Sequence, residues 1–147
     1  DVFSVGIALI FTGIFLFFSR FFNVKDKQLS ISKAVVIGLF QSIAIIPGIS
    51  RSGMTITSAL LLGLNSNDAA KFSFLLAIPA ITGAGVLTMI DAGNQILIRT
   101  DAAVIGFISS FIVGILSLKW LLKILEKGDF YYFGIYCFLL GIVVVWG

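Results

Sequence analysis

The sequence predicts an all-α membrane helix bundle, and three observations predict it. Hydrophobic residues fill 59% of the 147 positions and charged residues only 12%, whereas an ordinary soluble domain is about 25% charged. The mean hydropathy is +1.14. The apolar residues run in blocks, several of them near the ~20 residues a helix needs to cross a bilayer. With about half the usual charge, the chain cannot clothe a globular surface. A soluble enzyme, a disordered chain and a nucleic-acid binder are all poor fits, and the net charge of +3 comes from basic residues lying mostly between the apolar blocks.

Taken in order, residues 2–22 form the first span, interrupted only by Ser4, Thr12, Ser19 and Arg20. Lys25, Asp26 and Lys27 follow as an interfacial connector. Residues 34–46 and 54–64 are apolar runs of thirteen and eleven residues, which as helices rise only about 16–20 Å and fall short of a crossing. Residues 69–90 form a span with Lys71 at its edge and Pro79 inside, where Ser73 or Thr82 can satisfy the freed backbone groups. Residues 102–125 form another, with Lys119 and Lys123 placed to snorkel to the headgroups. Residues 130–147 make a short last span, opened by Tyr131 and Tyr132 and closed near Trp146 like an aromatic belt. The expectation is one transmembrane domain over 1–147, with about four spans and one re-entrant helix-loop-helix over about 34–64.

The break within that segment is Pro47-Gly48-Ile49-Ser50-Arg51-Ser52-Gly53. Proline lacks the N–H a helix needs and disfavours helix at the residue before it, and glycine admits unusual backbone angles. Two readings compete, a re-entrant hairpin and a single kinked crossing. A hairpin leaves Arg20, Lys25, Lys27, Lys33, Lys71, Lys119, Lys123 and Lys127 on one face and Arg99 alone on the other. A single crossing divides them almost evenly. Cytoplasmic loops carry the excess of Lys and Arg, so the bias favours the hairpin, with its tip near mid-membrane.

Arg51 is then the only ionisable group at membrane depth, which costs at least about 2.5–3.5 kcal/mol on insertion scales. Its neighbours suit an anion. Ser50 or Ser52 can cap a helix starting near Gly53, whose first N–H groups and positive dipole end attract negative charge. Gly48 shapes the turn, Gly53 lets a ligand near the backbone, and Ser50, Ser52 and Thr55 offer hydroxyls. Arg51 supplies a fork for two phosphate oxygens. Together these make a phosphate cradle without the Gly-Lys-Ser/Thr of a Walker loop. The plainer alternative has the serines merely capping, the glycines merely turning and Arg51 pairing with a carbonyl or a carboxylate from sequence outside this chain. Gln41, six residues before Pro47, either points into the site or bonds between helices. Asp68 and Lys71 mark the membrane boundary, Asp91, Asp101 and Asp129 lie in loops, and Gly83, Gly85, Gly106 and Gly114 suit close helix packing.

The chain has no histidine, one glutamate, Glu126, and one cysteine, Cys137. Histidine general-base chemistry and an intrachain disulfide are thereby excluded, and few carboxylates remain for a metal. The sequence starts at Asp1 inside an apolar block, without a charged n-region and cleavage site, so a fragment of a longer protein is expected.

At residues 47–55, Pro-Gly-Ile-Ser-Arg-Ser-Gly-Met-Thr, the chain resembles the bacterial undecaprenyl-diphosphate phosphatase family, also called bacitracin-resistance proteins. Every fixed position of its P-G-x-S-R-S-G-x-T motif is matched. The flanks are similar too: Ile37-Gly38-Leu39-Phe40-Gln41 before it and residues 69–79 after it, so the likeness covers essentially the whole chain. The resemblance implies a multi-pass inner-membrane enzyme of two inverted repeats, each with a re-entrant helix pair. It removes the terminal phosphate of undecaprenyl diphosphate, an isoprenoid lipid, giving the monophosphate carrier used in wall synthesis. It also implies that Arg51 binds the diphosphate, with Ser50 and Thr55 as hydrogen-bonding partners and Gly48, Ser52 and Gly53 completing the loop. A divalent metal, Mg or Ca, is expected from the family, with ligands outside this chain. The family's first repeat carries a glutamate-rich motif, a serine loop and a histidine, and none is here. The chain therefore resembles the C-terminal half, inactive alone, with the N-terminal half and membrane lipids as partners, no nucleic acid, and room for homo-oligomers. The runner-up is half of a lipid-phosphate transporter or flippase, because broken helices and inverted repeats are also transporter grammar. A structural subunit ranks last.

Overall fold

Six α-helices make up the computed structural model, which describes residues 2–21, 28–92 and 100–146. They are α1 (Val2–Phe17), α2 (Ile31–Ile43), α3 (Arg51–Leu61), α4 (Ser66–Ala92), α5 (Thr100–Lys127) and α6 (Tyr131–Trp146). A 3₁₀ turn, Phe18–Phe21, extends α1. No strand occurs among the described residues. Three segments are long and apolar enough to cross a membrane: Val2–Phe21, Ser66–Asp91 and Asp101–Glu126. The α6 helix is apolar but has only 16 residues, a rise of about 24 Å. The described residues thus give three full-length spans where four were expected, with α6 shorter than the rest. Lys25, Asp26, Lys27 and Arg99, on which the charge bias partly rests, lie outside the described residues.

Local chemistry sets the helix ends. Ser30 caps α2, its hydroxyl accepting from the Lys33 N–H at 3.4 Å, so the helix starts earlier than its apolar run. Asn65 precedes α4 and accepts from the Asp68 N–H at 2.8 Å, while its side-chain amide donates to Asp68 Oδ2 at 3.0 Å. This satisfies amides that have no partner within the helix, and it gives Asp68 a capping task at the boundary it was expected to mark.

Helices α1 and α6 run antiparallel with their backbones almost touching. A Cβ on Gly13 would lie 2.6 Å from the Phe138 amide nitrogen and 2.7 Å from the Gly134 carbonyl oxygen, and one on Gly141 2.8 Å from the Ile10 nitrogen. Small residues permit such approach between apolar helices. By contrast, a Cβ on Gly83, Gly85, Gly106 or Gly114 meets nothing within 4 Å. Among the described residues nothing packs against those four, which stand on exposed stretches of α4 beyond Pro79 and of α5.

The core collects on α3. Every residue from Gly53 to Leu60 is buried, and Ile56, Ala59 and Leu60 pack with Leu16 of α1, Ile37 of α2, Ala69 and Ala70 of α4, Leu125 of α5 and Phe130. Phe15 of α1 stacks on Phe40 of α2 at 5.2 Å. Helix α3 also packs along α2. The two short helices, joined by seven residues, 44–50, therefore fold back on each other as a hairpin, as expected from the break at Pro47.

Candidate functional site

The loop between α2 and α3 is built from tight turns held against α1. The Ala44, Ile45 and Ile46 amides donate to the carbonyls of Gln41, Ser42 and Ile43, and the Ile49 amide donates to that of Ile46. Gly48 sits at φ +98, the left-handed region that disfavours a side chain, and a Cβ there would lie 2.7 Å from the Val5 carbonyl oxygen. Thr12 of α1, fully buried, fastens the loop from beneath. Its hydroxyl accepts from the Ser50 N–H at 3.3 Å and donates to the Gly48 carbonyl at 3.4 Å.

Ser50 then turns the chain into α3. It is extended, at φ −74 and ψ 113, and its Oγ accepts from the Gly53 N–H at 3.1 Å. The Met54 N–H reaches the Ser50 carbonyl at 2.9 Å. That leaves the amides of Arg51 and Ser52 at the open end of the helix, where the dipole favours an anion. Arg51 is exposed, and its guanidinium makes no hydrogen bond or ion pair with any described residue.

Arg51 stands on the wall of a cavity of about 380 Å³, shared with Gly38, Gln41, Ser42, Ala44 and Ile45 from the end of α2 and Ala80 from α4. Of the two roles open to Gln41, the structure places it on this wall. Its Oε1 is buried without a hydrogen-bond partner, so it makes no interhelical bond through that atom. Ser42 donates its hydroxyl to the Leu39 carbonyl at 2.7 Å.

The remaining loop residues face the bundle. Thr55 is 1% exposed; its Oγ1 lies 2.6 Å from Ser73 Oγ, 3.0 Å from the Arg51 carbonyl and 3.3 Å from that of Ser52. It fastens α3 to α4 and does not line the Arg51 cavity. Gly53 is buried against α1, where a Cβ would meet Leu16 Cδ1 at 2.7 Å. Ser52 is exposed beside Arg51, and Ser50 is partly buried with its hydroxyl in the cap. The structure thus brings Arg51 and Ser52 to the open side and turns Gly48, Gly53 and Thr55 inward.

Two contributors were not singled out from sequence. Thr12 reads as one polar interruption in a span, and Ser73 as a partner for the backbone freed by Pro79. A signal for Thr12 exists in principle, since a hydroxyl inside an apolar run must find a partner; the identity of that partner lies 38 residues away. A divalent metal does not fit the groups present. Arg51 brings positive charge, the Ser50 and Thr55 hydroxyls are engaged, and no cluster of three His, Cys, Asp or Glu able to hold a metal occurs among the described residues.

A profile of the family described as Bacitracin resistance protein BacA matches residues 1–143. Among curated proteins, the chain is 43% identical over 151 residues to the undecaprenyl-diphosphatase of Methanococcus vannielii, covering 99% of this chain and 57% of that protein. It is 40% identical over 141 residues to the undecaprenyl-diphosphatase of Korarchaeum cryptofilum, covering 96% and 53%. With undecaprenyl-diphosphatase 1 of Bacillus cereus the identity is 41% over 145 residues, covering 96% and 54%. The chain spans about half the length of the curated relatives it matches.

Proposed function

The chain belongs to the bacitracin resistance protein family, and from that premise we propose that it supplies the phosphate-binding half of a membrane undecaprenyl-diphosphatase. The full-length enzyme hydrolyses undecaprenyl diphosphate to undecaprenyl phosphate and inorganic phosphate, recycling a wall-synthesis lipid carrier. It sits as a multi-pass protein in the bacterial inner membrane, with the α2–α3 hairpin re-entering from the basic face. The names carried by its relatives support the hydrolase reading over a transporter half.

One observation carries the assignment: Arg51, at the first turn of α3, lines a cavity with its guanidinium bonded to no described residue. Phosphoryl transfer is catalysed mostly by placing positive charge and donors on the phosphoryl oxygens. A planar five-donor fork and two free helix amides do that without a covalent role. The base or nucleophile activator comes from the other half of the protein, as do the ligands of the divalent metal, Mg or Ca, for which the described residues offer no set.

The test compares the full-length protein with Arg51→Lys and Arg51→Ala, following phosphate release from a short-chain isoprenyl diphosphate alongside a thermal melt. Arg51→Ala should lose about 10²–10³-fold in kcat/KM while remaining folded, the scale expected when a charge-stabilising donor is removed. Arg51→Lys keeps the charge but not the fork, and should fall between the two. Full activity in Arg51→Ala would refute the site assignment.

A further inference from the structure

We infer that Gln41 is a second phosphate-contacting residue of the Arg51 cavity, its side-chain amide donating to a terminal-phosphate oxygen while its Oε1 accepts from a water or a protonated oxygen of the same group. The inference rests on the phosphatase reading above and adds to it a neutral donor–acceptor on the wall contributed by α2.

The argument begins with what the cavity offers a ligand. Gly38, Ala44, Ile45 and Ala80 bring no polar side chain, and the Ser42 hydroxyl is spent on the Leu39 carbonyl. Arg51 and Gln41 are therefore the two lining side chains with uncommitted polar atoms. Gln41 Oε1 is buried and has no hydrogen-bond partner, a condition native proteins rarely leave unexplained. A guanidinium is a pure donor and a carboxamide is both donor and acceptor, so the pair selects a ligand that accepts several bonds and also presents one donor. An anionic phosphate accompanied by a water, or carrying one proton, has that pattern. The wall around Gln41 is also open. Gly38 lies one turn before it on α2, and a Cβ there would meet nothing within 4 Å. A glutamine can orient a water beside a phosphoryl group without acting as a base, and hydrolysis requires such a water.

The experiment uses the full-length protein in detergent, with Gln41→Glu and Gln41→Leu as variants. Two constants are read: KM for a short-chain isoprenyl diphosphate and the inhibition constant of free inorganic phosphate. Gln41→Glu places a carboxylate against phosphate, and both constants should rise about tenfold or more. Gln41→Leu removes the donor with little change in size and should raise both severalfold, while its melting temperature holds or rises because the orphaned acceptor is gone. If only the lipid constant rises, the contact is with another part of the headgroup and the inference fails. Both constants staying within about twofold of wild type in both variants, or in Gln41→Leu if the glutamate variant does not fold, also overturns it. A wild-type protein that releases no phosphate would refute the hydrolase reading alone. The inference would then be decided by the melting shift that inorganic phosphate induces: lost in the Gln41 variants it stands, and equal in all or absent from wild type it falls.

Discussion

Replacing Thr12 by valine tests how the arginine loop is held. Valine has nearly the same shape as threonine but no hydroxyl, so packing inside α1 is retained. The Ser50 N–H loses its acceptor at 3.3 Å and the Gly48 carbonyl its donor at 3.4 Å. Both bonds are long, so each contributes at the lower end of the usual 0.5–1.5 kcal/mol, and the stranded amide adds a desolvation cost of about 1–3 kcal/mol. A net loss of about 1–3 kcal/mol follows, or roughly 2–4 °C of melting temperature per kcal/mol in a protein of about this size. The two bonds lie on either side of Ile49 and immediately before Arg51, so the loss is concentrated where the guanidinium is aimed. A displacement of about 1 Å at such a point costs up to about 10²-fold in rate. The assay is a detergent melt together with kcat/KM for an isoprenyl diphosphate in the full-length protein. Thr12→Ser, which keeps the hydroxyl, should recover most of the activity. A Thr12→Val protein that melts and turns over like wild type would refute the claim that this hydroxyl anchors the loop.

Two further predictions concern the bundle. In Gly13→Ala the new methyl falls 2.6 Å from Phe138 N and 2.7 Å from Gly134 O, atoms that cannot move aside alone, so α1 and α6 must part at a cost of about 1–3 kcal/mol. Gly83→Ala opens into empty space and should be neutral or stabilising by up to about 1 kcal/mol; paired melts of the 147-residue chain compare the two, and equal effects would contradict the crossing. Thr55→Val strands the buried Ser73 hydroxyl, which lies 2.6 Å from Thr55 Oγ1, and should destabilise by about 1–3 kcal/mol. Adding Ser73→Ala should recover part of that, which a double-mutant cycle measures.

The hairpin was legible because Pro47 and Gly48 interrupt two runs that are each too short to cross, and the structure breaks the helix over 44–50. A cap at Ser50 or Ser52 was legible from residue type and position, but the helix starts at Arg51 rather than near Gly53, so the arginine expected in the loop stands in the first helical turn. Which glycines pack was not. Gly13 and Gly134 differ from Gly83 and Gly114 only in having another helix opposite, and a partner across the bundle leaves no mark on the local sequence. Thr55 shows the same limit: its motif position suggests a ligand contact, but the rotation of α3 turns it toward Ser73. Gln41 was ambiguous for a related reason, since a buried amide on an apolar helix serves equally well as a bridge or as a wall.

The burial of a short and comparatively polar helix at the centre of the fold has a consequence for biogenesis. Helices α1, α4 and α5 are apolar enough to leave the translocon singly and settle in lipid. Helix α3, with 11 residues that include Thr55, Thr57 and Ser58, is too short and too polar to do so, because lipid offers no partners for its groups. Thr55 finds its partner on α4, in Ser73, and Ser58 donates to the Thr55 carbonyl of its own helix, while Leu16 of α1 covers the apolar side. Synthesis delivers α4 after α3, so the burial of α3 is completed only when α4 has joined it. Maturation therefore runs against chain order, with the element that carries the arginine docking late into a frame made by its neighbours.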